Sequence, residues 1–232
     1  FDYNGKMSDA VQQVPPSAIR KFFDLANEMQ GHVISLSIGE PDFVTPWPIR
    51  EAGINSLVEG YTHYSPNSGY LNARKAISDY LKRRYGVSYS PDGELLITVG
   101  GSEGLDLVAR ALINPGDEVI VVEPCFVAYN ATVKFAHGVP VTVETKPENG
   151  YKLMPEELEA AITEKTKYII VGYPNNPTGA VMTLEDWAGI RDVLLRHPGV
   201  IVLSDELYCE LNYLDGKPAS LTQFSELRER VI

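Results

Sequence analysis

Near the end of the chain an apolar run, Val200-Ile201-Val202-Leu203, delivers Asp205, and Tyr208 follows three residues later. Residues three apart on a helical turn face the same way, so a carboxylate and a phenol arrive together. A carboxylate leaving a buried strand seldom lacks a partner: it caps the next turn or meets a cation. No histidine or second carboxylate joins Asp205 at ligand spacing, which argues against a metal centre.

Two further segments carry groups of the right kind. In Thr98-Val99-Gly100-Gly101-Ser102-Glu103-Gly104 a strand is expected to run through glycines into a helix. Exposed N–H groups at a helix start bind phosphate, and glycine lets an anion approach the backbone. Three readings stay open here: a phosphate cradle, a tight turn with Ser102 as helix cap, and a dinucleotide-binding turn with Glu123 as its distal acid. The last has a defect, because Val99 stands where its first glycine belongs. In Tyr173-Pro174-Asn175-Asn176-Pro177-Thr178-Gly179 the residues form turns readily, yet Asn176 follows a strand and its amide can donate to a bound oxygen. Phe126 and Tyr64 read as packing residues when taken alone, as do His32, His63, His137 and His197 as surface or packing residues. Cys125 and Cys209 form no CxxC pair, so neither a zinc site nor a disulfide framework is indicated, and a reducing compartment fits.

The elements that position these residues follow from hydrophobic periodicity. Helices are expected at 15–29, 47–58 and 70–84, with a short strand at 33–38 and a loop through Gly39-Glu40-Pro41-Asp42-Phe43. From residue 94 the pattern alternates. Strands are expected at 94–99, 118–122, 140–144, 168–172 and 200–204, and helices at 102–112, 126–136, 156–163 and 184–196. Such alternation predicts an α/β fold with a mainly parallel sheet and helices on both faces. Ligands of such sheets bind beyond the carboxyl ends of the strands. The segments singled out above all follow expected strands. The first forty residues read as an arm belonging to a smaller domain, and 41–232 as one large domain.

Composition restricts the function. Of 232 residues, 44% are hydrophobic and 22% charged, which suits a packed core. The net charge of −11 argues against a general nucleic-acid binder. No apolar run is long enough to span a bilayer, and no apolar leader follows Phe1. A cytoplasmic protein without a membrane or nucleic-acid partner is expected.

Taken together, Gly101-Ser102-Glu103, Asn176-Pro177-Thr178-Gly179 and Asp205-x-x-Tyr208 resemble, in order and in position at strand ends, the fold-type I pyridoxal-phosphate-dependent aminotransferases of class I, the aspartate and aromatic aminotransferases among them. Ser37-Ile38-Gly39-Glu40-Pro41-Asp42-Phe43 and Tyr64 with Gly69-Tyr70 are similar to that family too. The resemblance implies pyridoxal 5'-phosphate as cofactor, with 41–232 as its binding domain. Asp205 would pair with the protonated ring nitrogen, and Tyr208 and Asn176 would hydrogen-bond the phenolic oxygen. Phe126 would stack on the ring, while Gly101, Ser102 and the backbone of Glu103 would hold the phosphate. Tyr64 would reach the phosphate of a neighbouring subunit, which implies a homodimer with shared sites. Gly39 and Asn176 would bind the substrate carboxylate.

The family also carries a lysine roughly thirty residues past this aspartate that forms the Schiff base. Only Lys217 lies between Asp205 and Ile232, and it comes too early. Arg230-Val231-Ile232 reads as a strand cut short. The expectation is therefore a large domain truncated before its lysine and before the carboxylate-binding arginine. The implied activity is transfer of an amino group from an L-amino acid to a 2-oxo acid, 2-oxoglutarate being the expected acceptor. A lyase or decarboxylase of the same fold, or a non-catalytic aminotransferase-like binding module, are the alternatives.

Overall fold

This computed structural model describes residues 5–16, 18–29, 34, 39, 41, 43–213 and 219–232. All of the strand expected at 33–38 but Ile34 lies outside the described residues, as do Glu40 and Asp42 of the following loop and Lys217. The chain divides into two compact units. One comprises Phe1–Val14 and Ser68–Ile232, the other Pro15–Asn67.

The smaller unit holds α2 (Ala18–Glu28) and α3 (Trp47–Val58), preceded in the chain by a single turn, α1 (Asp9–Gln12), of the larger unit. Ser8 caps α1 by accepting from Val11 N–H. In α3, proline stands in the first turn, where its missing N–H costs nothing.

The larger unit contains α4 (Leu71–Tyr85), α5 (Gly100–Leu112), β1 (Glu118–Glu123), α6 (Ala128–Phe135), β2 (Val139–Glu144), α7 (Pro155–Ala161), β3 (Thr166–Gly172), α8 (Leu184–Arg196) and β4 (Ile201–Asp205). The four strands are parallel in the order β2-β1-β3-β4. Their side chains alternate between two faces, as a period of two requires. Ile120, Val122, Ile169, Val171 and Val202 meet Leu158 of α7 and Trp187, Ile190, Val193 and Leu194 of α8. Val119, Val121, Tyr168, Ile170 and Leu203 meet Leu105 and Ala109 of α5 and Tyr129 and Val133 of α6. Both faces are thus buried, which is why the strands read as near-continuous apolar runs.

The crossover from β1 to β2 uses one face and moves one way, while those from β2 to β3 and β3 to β4 use the other face and move back. Right-handed crossovers in opposite directions fall on opposite faces. The reversal lies between β1 and β3, and their carboxyl ends open a crevice there.

One expected strand is absent. Residues 94–99 are neither a strand nor buried: Leu96, Ile97 and Val99 are all exposed. A strand exists only through a neighbour, and no described strand pairs with this segment, whose Ile97 N–H donates instead to the Ser68 carbonyl at 3.1 Å. Leu95, Leu96 and Thr98 border a hollow of about 1010 Å³ whose other wall includes Val231 and Ile232. The end of the chain does read as strand: Val231 bridges Val202 in parallel, and Ser204 N–H donates to the Ile232 carbonyl at 2.9 Å. Among the described residues no helix is long and apolar enough to cross a membrane.

Candidate active site

At the switch point the strand ends enclose a cleft of about 590 Å³, its open mouth included. Of the residues singled out from sequence, Gly101, Ser102, Phe126, Asn176, Asp205 and Tyr208 line it together. They come from four connections: the start of α5, and the segments after β1, β3 and β4.

The start of α5 forms one end. The helix begins at Gly100, two residues earlier than its periodicity suggests, and Val99 is the capping position. Ser102 is thus not the cap but lies inside the first turn, where helix geometry leaves N–H groups without intrahelical partners. Gly100 adopts φ +76°, a conformation that side chains disfavour, and its N–H turns back to the Thr98 carbonyl. A Cβ on Gly101 would meet nothing within 4 Å, so that backbone is open to an approaching group. The Glu103 carboxylate accepts the Val99 N–H, and so closes the helix start from behind.

Asp205, the last residue of β4, forms the other end. Its Oδ1 accepts Leu207 N–H at 3.1 Å, and its Oδ2 accepts the hydroxyl of Tyr129 at 2.7 Å. Asp205 therefore does cap the following turn, but that uses only one oxygen. An ionised carboxylate has about four acceptor positions, so further donors can be taken. Among the described residues, no lysine, arginine or histidine lines the cleft.

Tyr129 was not among the expected site residues. It lies three residues past Phe126, and the two rings meet edge to face at 5.9 Å. Burial first, and then the Asp205 charge, push its phenol well above the ordinary range, so it remains a neutral donor. The i,i+3 spacing from Phe126 was the available signal. Gly172 is the second addition. It pairs with Asp205 in register, and a Cβ there would stand 2.5 Å from the Tyr129 hydroxyl. Tyr129 reaches Asp205 only across a glycine.

The loop after β3 separates two adjacent amides. Asn175 is consumed by the fold: its Nδ2 donates to the carbonyls of Pro124 and Gly172, and its Oδ1 accepts from both the backbone and the hydroxyl of Thr178. The neighbouring Asn176 is exposed, lines the cleft and has no hydrogen-bond partner among the described residues. Turn formation and ligand-facing presentation are thus shared between the two asparagines.

Not every expected residue is in the cleft. The Glu123 carboxylate, which a dinucleotide site would aim at a ribose, accepts from Asn130 Nδ2 at 2.6 Å. Gly39 and Tyr64 belong to the smaller unit, both exposed. Arg230 is occupied at the end of α8 by the carbonyls of Leu194, His197 and Val200. His197 Nε2 lies 2.8 Å from Glu159, away from the site.

The donor set fits pyridoxal 5'-phosphate: helix-start N–H groups for a phosphate, a ring at Phe126, free donors at Asn176 and Tyr208, and an anion at Asp205 for a ring cation. Comparison with known proteins gives the family. The chain is 52% identical over 226 residues to YugH of Bacillus subtilis, named as a candidate aminotransferase, covering 97% of this chain and 58% of that one. It is 41% identical, with the same coverage, to aromatic-amino-acid aminotransferase 2 of Thermococcus litoralis. The solved aspartate aminotransferase of Thermus thermophilus with maleate superposes with a TM-score of 0.90 at 38% identity, covering 97% of this chain and 58% of that one. The chain thus spans about 58% of the length of these relatives. The model of aminotransferases of class I and II matches residues 31–231, and the chain belongs to that family.

Proposed function

We propose that the protein to which this chain belongs is a pyridoxal-phosphate-dependent transaminase that moves an amino group from an L-amino acid to a 2-oxo acid. The observation that carries the reading is the pairing, across one cleft, of a helix start with an anion that lacks a cation: Gly101 and Ser102 at one end, Asp205 at the other. When bound there, the cofactor supplies an electron sink for the substrate's Cα electrons.

The chain's own residues do the rest. Gly101, Ser102 and the backbone at Glu103 bind the phosphate. Asp205 holds a proton on the ring nitrogen, because its charge favours the cationic form. Tyr208 and Asn176 donate to the phenolic oxygen, and Phe126 covers the ring face. Asn176 and Gly39 take the substrate carboxylate. Residues 41–232 serve as the cofactor-binding domain, and the first forty as an arm of a smaller one. Tyr64 serves the phosphate of a second subunit, in a cytoplasmic homodimer with shared sites. With Ser102 rather than a cation at the phosphate end, 2-oxoglutarate is the acceptor we favour, with donors extending to neutral or aromatic amino acids. The names of the relatives, aspartate and aromatic-amino-acid aminotransferases, support the class.

Purified full-length protein should be yellow and lose that colour on addition of an amino-acid donor. Protein that stays colourless after addition of the cofactor would defeat this reading. Release of carbon dioxide, or of ammonia with no amino acid formed from the acceptor, would favour the decarboxylase or lyase chemistry of the same fold.

A further inference from the structure

On the side of the turn away from the cleft, helix α4 grips Glu210. Arg84 closes on its carboxylate with two parallel bonds, Nε to Oε1 and Nη2 to Oε2, both 2.8 Å. Tyr80 donates its hydroxyl to Oε1 at 2.5 Å, and the same hydroxyl lies 3.9 Å from Cys209 Sγ. These two donors, Tyr80 first and Arg84 second, hold the Glu210 carboxyl below the ordinary carboxylate range, so it stays charged. The partners are 126 and 130 residues apart, and the tie is therefore tertiary.

Tyr208 stands between this tie and Asp205. From Asp205 the chain turns once: Cys209 N–H donates to the Glu206 carbonyl at 3.0 Å, and Leu211 N–H to the Tyr208 carbonyl at 2.9 Å. Asp205 and Tyr208 line the cleft, while Glu210 points to α4. Beyond it Leu211 and Tyr213 are exposed. Glu206, at the start of the turn that carries the phenol, is held by the hydroxyls of Ser220 and Ser204; the tie to α4 holds its far end. An ion pair this exposed contributes little to global stability, but a two-pronged arginine contact fixes direction as well as distance. A hydrogen bond weakens steeply as its angle departs from linear. The roles assigned above use Tyr208 and leave this ion pair unused.

We propose that Arg84 and Tyr80, acting through Glu210, fix the turn that presents the Tyr208 phenol to the cleft. They are positioning residues for the contact between Tyr208 and bound pyridoxal phosphate. The inference rests on the functional reading above.

The test uses full-length protein. Arg84→Met, Glu210→Ala and the exchanged pair Arg84→Glu with Glu210→Arg are each made with Tyr208 present and in a Tyr208→Phe background. Two quantities are read: the affinity of cofactor-free protein for pyridoxal phosphate, and the pH midpoint of the bound cofactor's visible absorbance. A hydrogen bond to a deprotonated oxygen favours that form, so loosening Tyr208 should raise the midpoint. With Tyr208 present, the single variants should weaken binding about two- to fivefold, the most an exposed pair transmits, and raise the midpoint. The exchanged pair should restore both. In the Tyr208→Phe background the same changes should leave the midpoint where it is.

An unchanged midpoint in the single variants would overturn the proposal. So would an equal shift with and without the Tyr208 hydroxyl, since that marks a general structural effect. Arg84→Lys, which keeps the charge but gives up the fork, replaces any variant that does not fold. Failure of the unmodified protein to bind pyridoxal phosphate would instead defeat the functional reading, and this inference with it.

Discussion

The phenol of Tyr129, in the first turn of α6, donates a 2.7 Å hydrogen bond to Oδ2 of Asp205, the last residue of β4. β1, which leads into α6, and β4, with β3 between them, bring these residues to one crevice although 76 positions separate them. The bond orients Asp205 in a cleft lined, among the described residues, by no lysine, arginine or histidine.

Asp205→Asn keeps this shape and removes the charge. In full-length protein we expect turnover to fall by about 10²–10³, the usual cost of losing one preorganised electrostatic group, with cofactor occupancy preserved. Tyr129→Phe should cost less, about tenfold, because the carboxylate stays charged and loses only a donor. Transamination rates with occupancy checked by absorbance decide this. Near-normal turnover in Asp205→Asn would reduce Asp205 to the cap of its turn.

Gly172→Ala tests the close approach. A Cβ 2.5 Å from the Tyr129 hydroxyl forces that group aside, and overpacking of this kind destabilises by about 1–3 kcal/mol. Removing the hydroxyl removes the clash, so Tyr129→Phe combined with Gly172→Ala should be more stable than Gly172→Ala alone. Urea midpoints of the four proteins measure it. A Gly172→Ala variant as stable as the parent would show that α6 shifts freely.

Cys125 packs beside the core under α6. Burial, and secondarily the Glu123 charge, push its thiol from about 9 up to about 12. The folded state therefore prefers the neutral thiol. Its contribution to stability is complete below about pH 9 and is lost as pH rises towards 12. We expect alkylation of Cys125 near pH 9 to be slow in folded protein and to become fast on unfolding, as mass-mapped labelling would report. Equal rates would mean that the core beside α6 opens readily.

Glu206 faces the other way from Asp205, bonded to the hydroxyls of Ser220 at 2.6 Å and Ser204 at 3.1 Å. Burial raises its carboxyl above the ordinary range against the pull of these two donors, and the Asp205 charge raises it further. A raised carboxyl favours the folded state while protonated and loses that advantage as pH rises through its folded value. Glu206→Gln keeps the hydrogen bonds without the charge. It should stabilise this chain at neutral pH by about 1 kcal/mol, and the gain should vanish in acid. Denaturation midpoints measured against pH test this, and a loss of stability at neutral pH would contradict it.

What the sequence determined by itself was the alternation of elements and the positions of the groups with chemistry. Apolar runs such as Val119–Val122 and Tyr168–Val171 leave little choice but buried parallel strands, and α8 spans 184–196 as its periodicity predicts. Because ligand groups of such a sheet lie just past the strands, the segments holding Ser102, Phe126, Asn176, Asp205 and Tyr208 could be located, although Phe126 reads as packing and Asn176 as turn until the motifs are taken together. Three things needed the tertiary structure. Residues 94–99 have strand-forming side chains, but pairing is a property of a neighbour, and no strand lies beside them among the described residues. The asparagines at 175 and 176 are alike in composition, and only the carbonyls of Pro124 and Gly172 decide which one is held. Tyr129 reads as a core aromatic on its helix. Its role arises from the register that sets Gly172 beside Asp205, and periodicity along one element carries no information about register between two.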